Sequence, residues 1–317
     1  MTGVQTCALP ISTAVYATLQ QHPQVFLPGK EPHYFAPDFP TVRQVETIED
    51  YERLFADAER TQLRGEASVL YLSSKEATAA ILRRRPDAKL IAMVRNPLDM
   101  FVSWHNQALH GRARYEEEVD PRRAWLLQEE RAQGRRIPKC CKEPELLQYK
   151  RLCGLGAQIE SLFRLVPERQ RLVIVFDDLQ QQPRQVYRQI VEFLGVEDDG
   201  TDCFARENVF GKPRSAFIAG VIRFAMNLGA TKLGSKVKPA FRKYGVRMID
   251  SLGRHNVKYV AKPTLSSEFR RELEAAFAQD VQLLERLLCR DLCKLWSIGD
   301  TPAHAETGNG DRSLARL

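Results

Sequence analysis

The chain has 317 residues, 44% hydrophobic and 27% charged, with a formal net charge of +7. That length and balance suit one large α/β domain or two small ones, and they exclude a fibrous or wholly disordered chain. Apolar runs such as Leu90 to Val94 and Leu172 to Phe176 are too short to cross a bilayer, and no secretory signal opens the sequence, so a cytoplasmic address is expected.

Residues 2–11, TGVQTCALPI, are similar to a translated sequencing adapter and are set aside as an extraneous segment. On that reading the native sequence enters near Ser12, and the domain covers residues 12–296. Ser12 and Thr13 stand where a helix N-cap belongs, with Ala14, Val15, Tyr16 and Leu19 giving the next turns an apolar face. That helix stops at His22-Pro23. A short extended piece, Val25 to Leu27, then leads through a turn at Pro28-Gly29 into Lys30-Glu31-Pro32-His33-Tyr34-Phe35. Thr47 to Ala58 predicts a helix, Ser68 to Leu72 a strand, and Glu76 to Arg85 a helix ended by Pro86.

Ala88 to Val94 is a continuous apolar run of strand length, as expected of a parallel strand covered on both faces. It ends in Arg95-Asn96-Pro97, where Asn96 can cap and Pro97 can open a helix to about His110. Helical residues follow at 121–134 and 144–165. A second apolar run, Arg171 to Phe176, ends in Asp177-Asp178 and precedes a helix from Pro183 to Leu194. Ser266 to Leu288 is the clearest helix near the C-terminus, and 297–317 is expected to be a disordered tail. Strands alternating with helices predict a three-layer α/β domain with a mainly parallel sheet and additional helices, whose ligands bind beyond the carboxyl ends of the strands.

Seven cysteines show neither paired CxxC spacing nor accompanying histidines, so reduced thiols are expected and no metal site is read from them. The adjacent Cys140 and Cys141 are left open. Between Asn208 and Ile249 stand nine Lys or Arg and no Asp or Glu. Such a run suits an anionic partner, including peripheral contact with an anionic surface, or is simply a solvated face. Nucleic acid is not among the expected partners, and the oligomeric state stays open.

The chemistry concentrates in two places. Arg95 closes a buried strand, and Ser103 lies eight residues on in the following helix; a guanidinium fork with a hydroxyl beside it suits a terminal phosphate, although pairing with a structural carboxylate would explain Arg95 as well. Glu31 and His33 sit in KEPHYF, where a carboxylate against an apolar wall suits proton abstraction. A surface ion pair and a packing histidine are the plainer reading of the same two residues.

The segment Lys89 to Trp104, KLIAMVRNPLDMFVSW, is similar to the 3′-phosphate-binding segment of sulfotransferases that use 3′-phosphoadenosine-5′-phosphosulfate (PAPS). HPQVFLPGKEPHYF (22–35), GEASVLYL (65–72) and the run Arg171 to Leu194 keep that family's order. The resemblance implies a P-loop-NTPase-like fold, PAPS as donor with no metal, and an acceptor hydroxyl or amine on a glycan, lipid or small molecule. It also implies Arg95 and Ser103 on the 3′-phosphate, Ser12 and Thr13 on the phosphosulfate, Arg214 on the nucleotide, and Glu31 as base assisted by His33. KEPHYF resembles the glycan-modifying branch, while Ala67 departs from it where some members carry a catalytic Lys; His105 and His110 are the fallback bases. The family's Lys-x-Gly before the two hydroxyls is not found at residues 7–11, Cys7 to Pro10 and Ile11 standing in those positions, so the chain as it stands is expected to turn over poorly. Two rivals remain. RLVIVFDD resembles the Mg²⁺-holding strand of a P-loop kinase or NTPase, but no GxxxxGK[ST] occurs and an NTP has no 3′-phosphate. The basic stretch, with an apolar face at Phe217, Ile218, Val221, Ile222, Phe224 and Ala225, could instead belong to a non-catalytic polyanion- or membrane-surface-binding protein.

Overall fold

The computed structural model describes residues 11–111, 114–204, 211–213, 215, 257–259 and 264–298, with backbone only at Ile11, Ser12 and the two short segments 211–213 and 257–259. The adapter-like segment before Ile11, Arg214, nearly all of the basic stretch 208–249 and the tail from 299 lie outside the described residues.

The elements in chain order are α1 (Ile11–Leu19), β1 (Val25–Phe26), α2 (Ile48–Arg53), β2 (Leu63–Arg64), α3 (Ala77–Arg84), β3 (Leu90–Val94) and α4 (Pro97–His110). There follow α5 (Pro121–Leu126), α6 (Gln128–Ala132), α7 (Tyr149–Cys153), α8 (Leu155–Leu165), β4 (Arg171–Val175), α9 (Phe176–Gln181) and α10 (Pro183–Leu194). Short strands β5 (Gly211–Pro213) and β6 (Val257–Tyr259) pair antiparallel, and α11 (Ser267–Leu288) and α12 (Leu292–Trp296) close the described chain. β1 pairs parallel with β2, and β3 with β4 in register from Leu90↔Arg171 to Val94↔Val175.

β3 explains the layering. All five of its residues are buried, and they divide by parity as the two faces of a strand must. Ile91 and Met93 pack with Val15 and Leu19 of α1 and with Val186 and Ile190 of α10. Leu90, Ala92 and Val94 pack into the other core with Phe101 of α4, Ile159 of α8 and Phe277 of α11. The protein is therefore an α/β domain in which helices cover both faces of parallel strands. Asn96 caps α4 by accepting from Leu98 N at 2.9 Å with Pro97 at the first helical position, and Ser266 caps α11 by accepting from Phe269 N at 3.2 Å. Ile298 is buried in the same core as Trp296. Among the described residues no helix is long and apolar enough to cross a membrane.

Three local expectations are corrected. Ser68–Leu72 is a succession of turns, and the strand is the less apolar Leu63–Arg64; residues 68–70 and 71–72 are buried because the chain wraps inward, not because they join a ladder. Ser12 and Thr13 lie inside the first turn of α1, where backbone N–H groups still lack intrahelical acceptors, and not at its cap. Asp177-Asp178, which the sequence places between the second apolar run and the helix from Pro183, lies in the first turn of a separate helix, α9.

α8 and α11 cross at closest approach where Gly156 meets Asp280. The Asp280 carboxylate accepts from Gly156 N at 2.8 Å and Ala157 N at 3.0 Å, capping α8 from another helix. A Cβ at residue 156 would fall 2.2 Å from the Asp280 carbonyl oxygen. The backbones would have to separate, so Gly156→Ala is expected to cost roughly 1–3 kcal/mol, as for other overpacked sites. A lower urea midpoint with unchanged slope would register it.

Candidate active site

Leu27 just after β1, Ala67 beyond β2 and Met93 within β3 share one apolar cluster. Residues 30–33 lie here. Tyr16 of α1 donates through its hydroxyl to Pro28 O and fixes the approaching chain to the helix. Glu31 (φ 65°) and His33 (φ 51°) both take the left-handed conformation, on either side of Pro32. For a residue with a Cβ this costs about 1–2 kcal/mol, so the surroundings must hold it. They do so by backbone stitching: Glu31 N donates to Ala67 O at 2.9 Å, His33 N to Ser68 Oγ at 3.0 Å, and Val69 N to Glu31 Oε2 at 2.9 Å.

The result is a cluster of charged groups. Glu31 Oε2 lies 3.0 Å from His33 Nε2, and Oε1 lies 3.4 Å from Lys30 Nζ. Lys30 Nζ also donates to Thr13 Oγ1 at 2.7 Å, which joins the first turn of α1 to the carboxylate. Burial pulls the Glu31 carboxyl up, but the His33 hydrogen bond, the charges of His33 and Lys30 and the Val69 N–H outweigh it and hold the group below the usual carboxylate range. Its side chain is 22% exposed, so a ligand can reach it. His33 is buried, and its Nδ1 has no partner among the described residues. When the ring is neutral, the tautomer with the proton on Nε2, donated to Glu31, leaves only a lone pair unsatisfied at Nδ1.

Behind this pair stands Glu66. It is 3% exposed, accepts from Ser68 Oγ at 2.8 Å through Oε2 and has no partner for Oε1 among the described residues. Burial pushes its carboxyl up to about 7, against hydrogen bonds from Tyr71 and Ser68 and with the Glu31 charge adding to the rise. One carboxyl is thus held ionised to lower pH than usual, while its neighbour stays neutral until the pH approaches about 7. The sequence singles out neither Lys30 nor Glu66. The signal for the latter was a Glu entering a stretch that is otherwise apolar or small.

Arg95 follows β3 directly and is 3% exposed, with its guanidinium carbon 5.0 Å from the Phe176 ring centroid. One ion pair reaches it, from Asp99 Oδ2 at 3.5 Å, and its Nε has no partner among the described residues. Burial lowers its pKa, with Asp99 and Asp177 opposing. Ser103 is half-buried in α4, and no hydrogen bond joins it to Arg95. The structure therefore gathers Thr13, Glu31 and His33 with Lys30, and leaves Arg95 and Ser103 on the neighbouring strand-to-helix junction. His105 is elsewhere: its Nε2 lies 2.9 Å from Glu118 O, and the ring stacks on Phe101. His110 is the last residue of α4. Asp177 accepts from Trp296 Nε1 at 3.0 Å and Asp178 pairs with Arg290, so both carboxylates after β4 tie down the C-terminal helices. Among the described residues no group of three or more His, Cys, Asp or Glu could hold a metal ion, and the described cysteines, Cys140 and Cys141 included, are free thiols.

Residues 12–216, more than half of the chain, match the sulfotransferase domain family. Among solved structures, a sulfotransferase from Alicyclobacillus acidocaldarius is 24% identical with a TM-score of 0.64, over 94% of this chain and 99% of that one. That likeness bears on the fold. A mouse sulfotransferase complexed with PAP matches at 13% identity and a TM-score of 0.39, over 63% of this chain and 61% of that one. A sulfotransferase domain from the Synechococcus PCC 7002 olefin synthase matches at 14% and 0.38, over 92% and 95%. No curated protein sequence matches.

Proposed function

The chain belongs to the sulfotransferase family, and from that premise we propose that it moves the sulfuryl group of PAPS to an acceptor hydroxyl by in-line displacement. The observation that carries this reading is the Glu31–His33 pair, 3.0 Å apart, tied through Lys30 to the first turn of α1. A helix start favours an anion, and a carboxylate beside it can take a proton, which is what sulfuryl transfer requires at its two ends. The acceptor oxygen forms its bond to sulfur as the bond from sulfur to the bridging phosphate oxygen breaks. Glu31 receives the acceptor proton, with His33 orienting the carboxylate. Ser12 and Thr13 hold the phosphosulfate, and adenosine 3′,5′-bisphosphate departs.

At the other end of the donor, Arg95 and Ser103 take the 3′-phosphate. The buried guanidinium with an unsatisfied Nε supports an anionic partner there. A sugar hydroxyl is the acceptor class to test first, on the likeness of KEPHYF to the glycan-modifying branch. Against a kinase or NTPase stands the engagement of Asp177 and Asp178 by Trp296 and Arg290.

Calorimetric titration separates these readings. Adenosine 3′,5′-bisphosphate should bind without added Mg²⁺ and outcompete ATP, whereas preference for ATP with Mg²⁺ sinks the proposal. Arg95→Met should weaken the bisphosphate by about 10- to 100-fold, the value of hydrogen bonds to a charged group. Stability should not fall with it, since an apolar side chain replaces a buried charge that, among the described residues, is held by one 3.5 Å pair. Transfer of labelled sulfate from PAPS to mono- and oligosaccharides then tests the acceptor class.

A further inference from the structure

A helix start by itself offers about half a positive charge. The phosphate that leaves in sulfuryl transfer gains a full negative charge on the oxygen that bridged to sulfur, so a cation beside the first turn of α1 favours its departure. Lys30 is placed to be that cation. Its Nζ is 2.7 Å from Thr13 Oγ1 and 3.4 Å from Glu31 Oε1, and its side chain is only 18% exposed. The placement is built, because the left-handed Glu31 is anchored by its N–H on Ala67 O, and Tyr16 holds Pro28 against α1.

Resting on the donor reading above, we infer that Lys30 is a further catalytic residue, whose ammonium contacts the 5′-phosphate oxygen that departs from sulfur. No new bond is involved beyond those already described. Lys30 stays protonated, neutralises the charge that appears on the bridging oxygen as the S–O bond breaks, and lies between that oxygen and the base. A lysine that only tethers the 28–33 loop to α1 would make the same contacts without the donor, so the test must read the 5′-phosphate itself.

Wild-type chain, Lys30→Met and Lys30→Arg are titrated with adenosine 3′,5′-bisphosphate and with adenosine 3′-monophosphate. The wild type should bind the bisphosphate more tightly, and Lys30→Met should lose roughly 10- to 100-fold on the bisphosphate alone. Binding of the 3′-monophosphate should be unchanged, and Lys30→Arg should restore most of the difference. Equal weakening of both nucleotides by Lys30→Met would make Lys30 a tether and overturn the assignment, as would full retention of the 5′-phosphate increment. Wild-type chain that binds neither nucleotide overturns the donor reading itself, and the assignment falls with it before any variant is compared.

Discussion

Glu31→Gln is expected to lower kcat for sulfuryl transfer by about 10²- to 10⁴-fold, the usual worth of a positioned general base. Affinity for adenosine 3′,5′-bisphosphate and the unfolding midpoint should hardly move. Gln has the same shape, its amide oxygen can still accept from Val69 N, and its backbone N–H still reaches Ala67 O. What it cannot do is take a proton. A drop in kcat with intact nucleotide binding therefore reports chemistry, and an unchanged kcat would remove Glu31 from the reaction.

The pH profile adds a second reading. The base works as a carboxylate, so the rate is lost as pH falls through its pKa. Since His33, Lys30 and Val69 overcome the effect of burial and hold Glu31 below the ordinary range, the acid limb of kcat/KM should lie below that of an unperturbed glutamate. A depressed pKa also makes a weak base. If Lys30 engages the donor, its pull on Glu31 is shared with an anion, and the carboxylate gains basicity when an acceptor is in place. Lys30→Met should accordingly shift the acid limb upward, because one of the charges that lower Glu31 is gone.

Short-range patterns carried much of this architecture, and long-range contacts carried the site. Ala88–Val94 with Asn96-Pro97 predicts β3 and α4 because burial on both faces and a cap are local properties of the chain. Ser266 and the apolar spacing after it predict α11 in the same way. The inward-turning Ser68–Leu72 defeats that logic, since a buried turn and a buried strand have the same composition. KEPHYF shows a carboxylate and an imidazole two residues apart, yet the approach of Glu31 Oε2 to His33 Nε2 depends on two left-handed residues that no propensity favours at Glu or His. Lys30 reaching Thr13 and Ser68 holding His33 N span 17 and 35 residues, and the sequence contains no local signal for either.

The most consequential contact away from the site was equally invisible. Glu116 is fully buried, and Arg131, 2% exposed, meets it with both terminal nitrogens at 2.6 and 2.8 Å. Tyr149 OH donates to Oε2, while Glu117 N and Glu118 N donate to Oε1 at 2.8 and 2.9 Å. Burial raises the Glu116 carboxyl, but Arg131, Tyr149 and the backbone more than offset this and leave it below the ordinary range. Arg131→Met leaves that carboxylate buried without its counter-charge, and should cost about 3–5 kcal/mol at neutral pH. The sign of the pH dependence should also reverse. In the wild type, the contribution of Glu116 is present above its unfolded pKa and is lost as pH falls through the lower folded one. In the variant, burial unopposed by Arg131 raises the folded pKa, so the deficit should shrink as the solution is acidified and Glu116 takes a proton. Replacing both residues by apolar side chains of similar volume should recover most of the loss, because no charge then remains to be buried. Urea unfolding of Arg131→Met, of Glu116→Leu and of the double variant at neutral and acid pH reads all of this, and losses that simply add would show that the pair is not coupled. Nucleotide affinity measured well below the unfolding midpoint should be unaffected, in contrast to Arg95→Met, since none of these three side chains contacts Thr13, Lys30, Glu31 or His33.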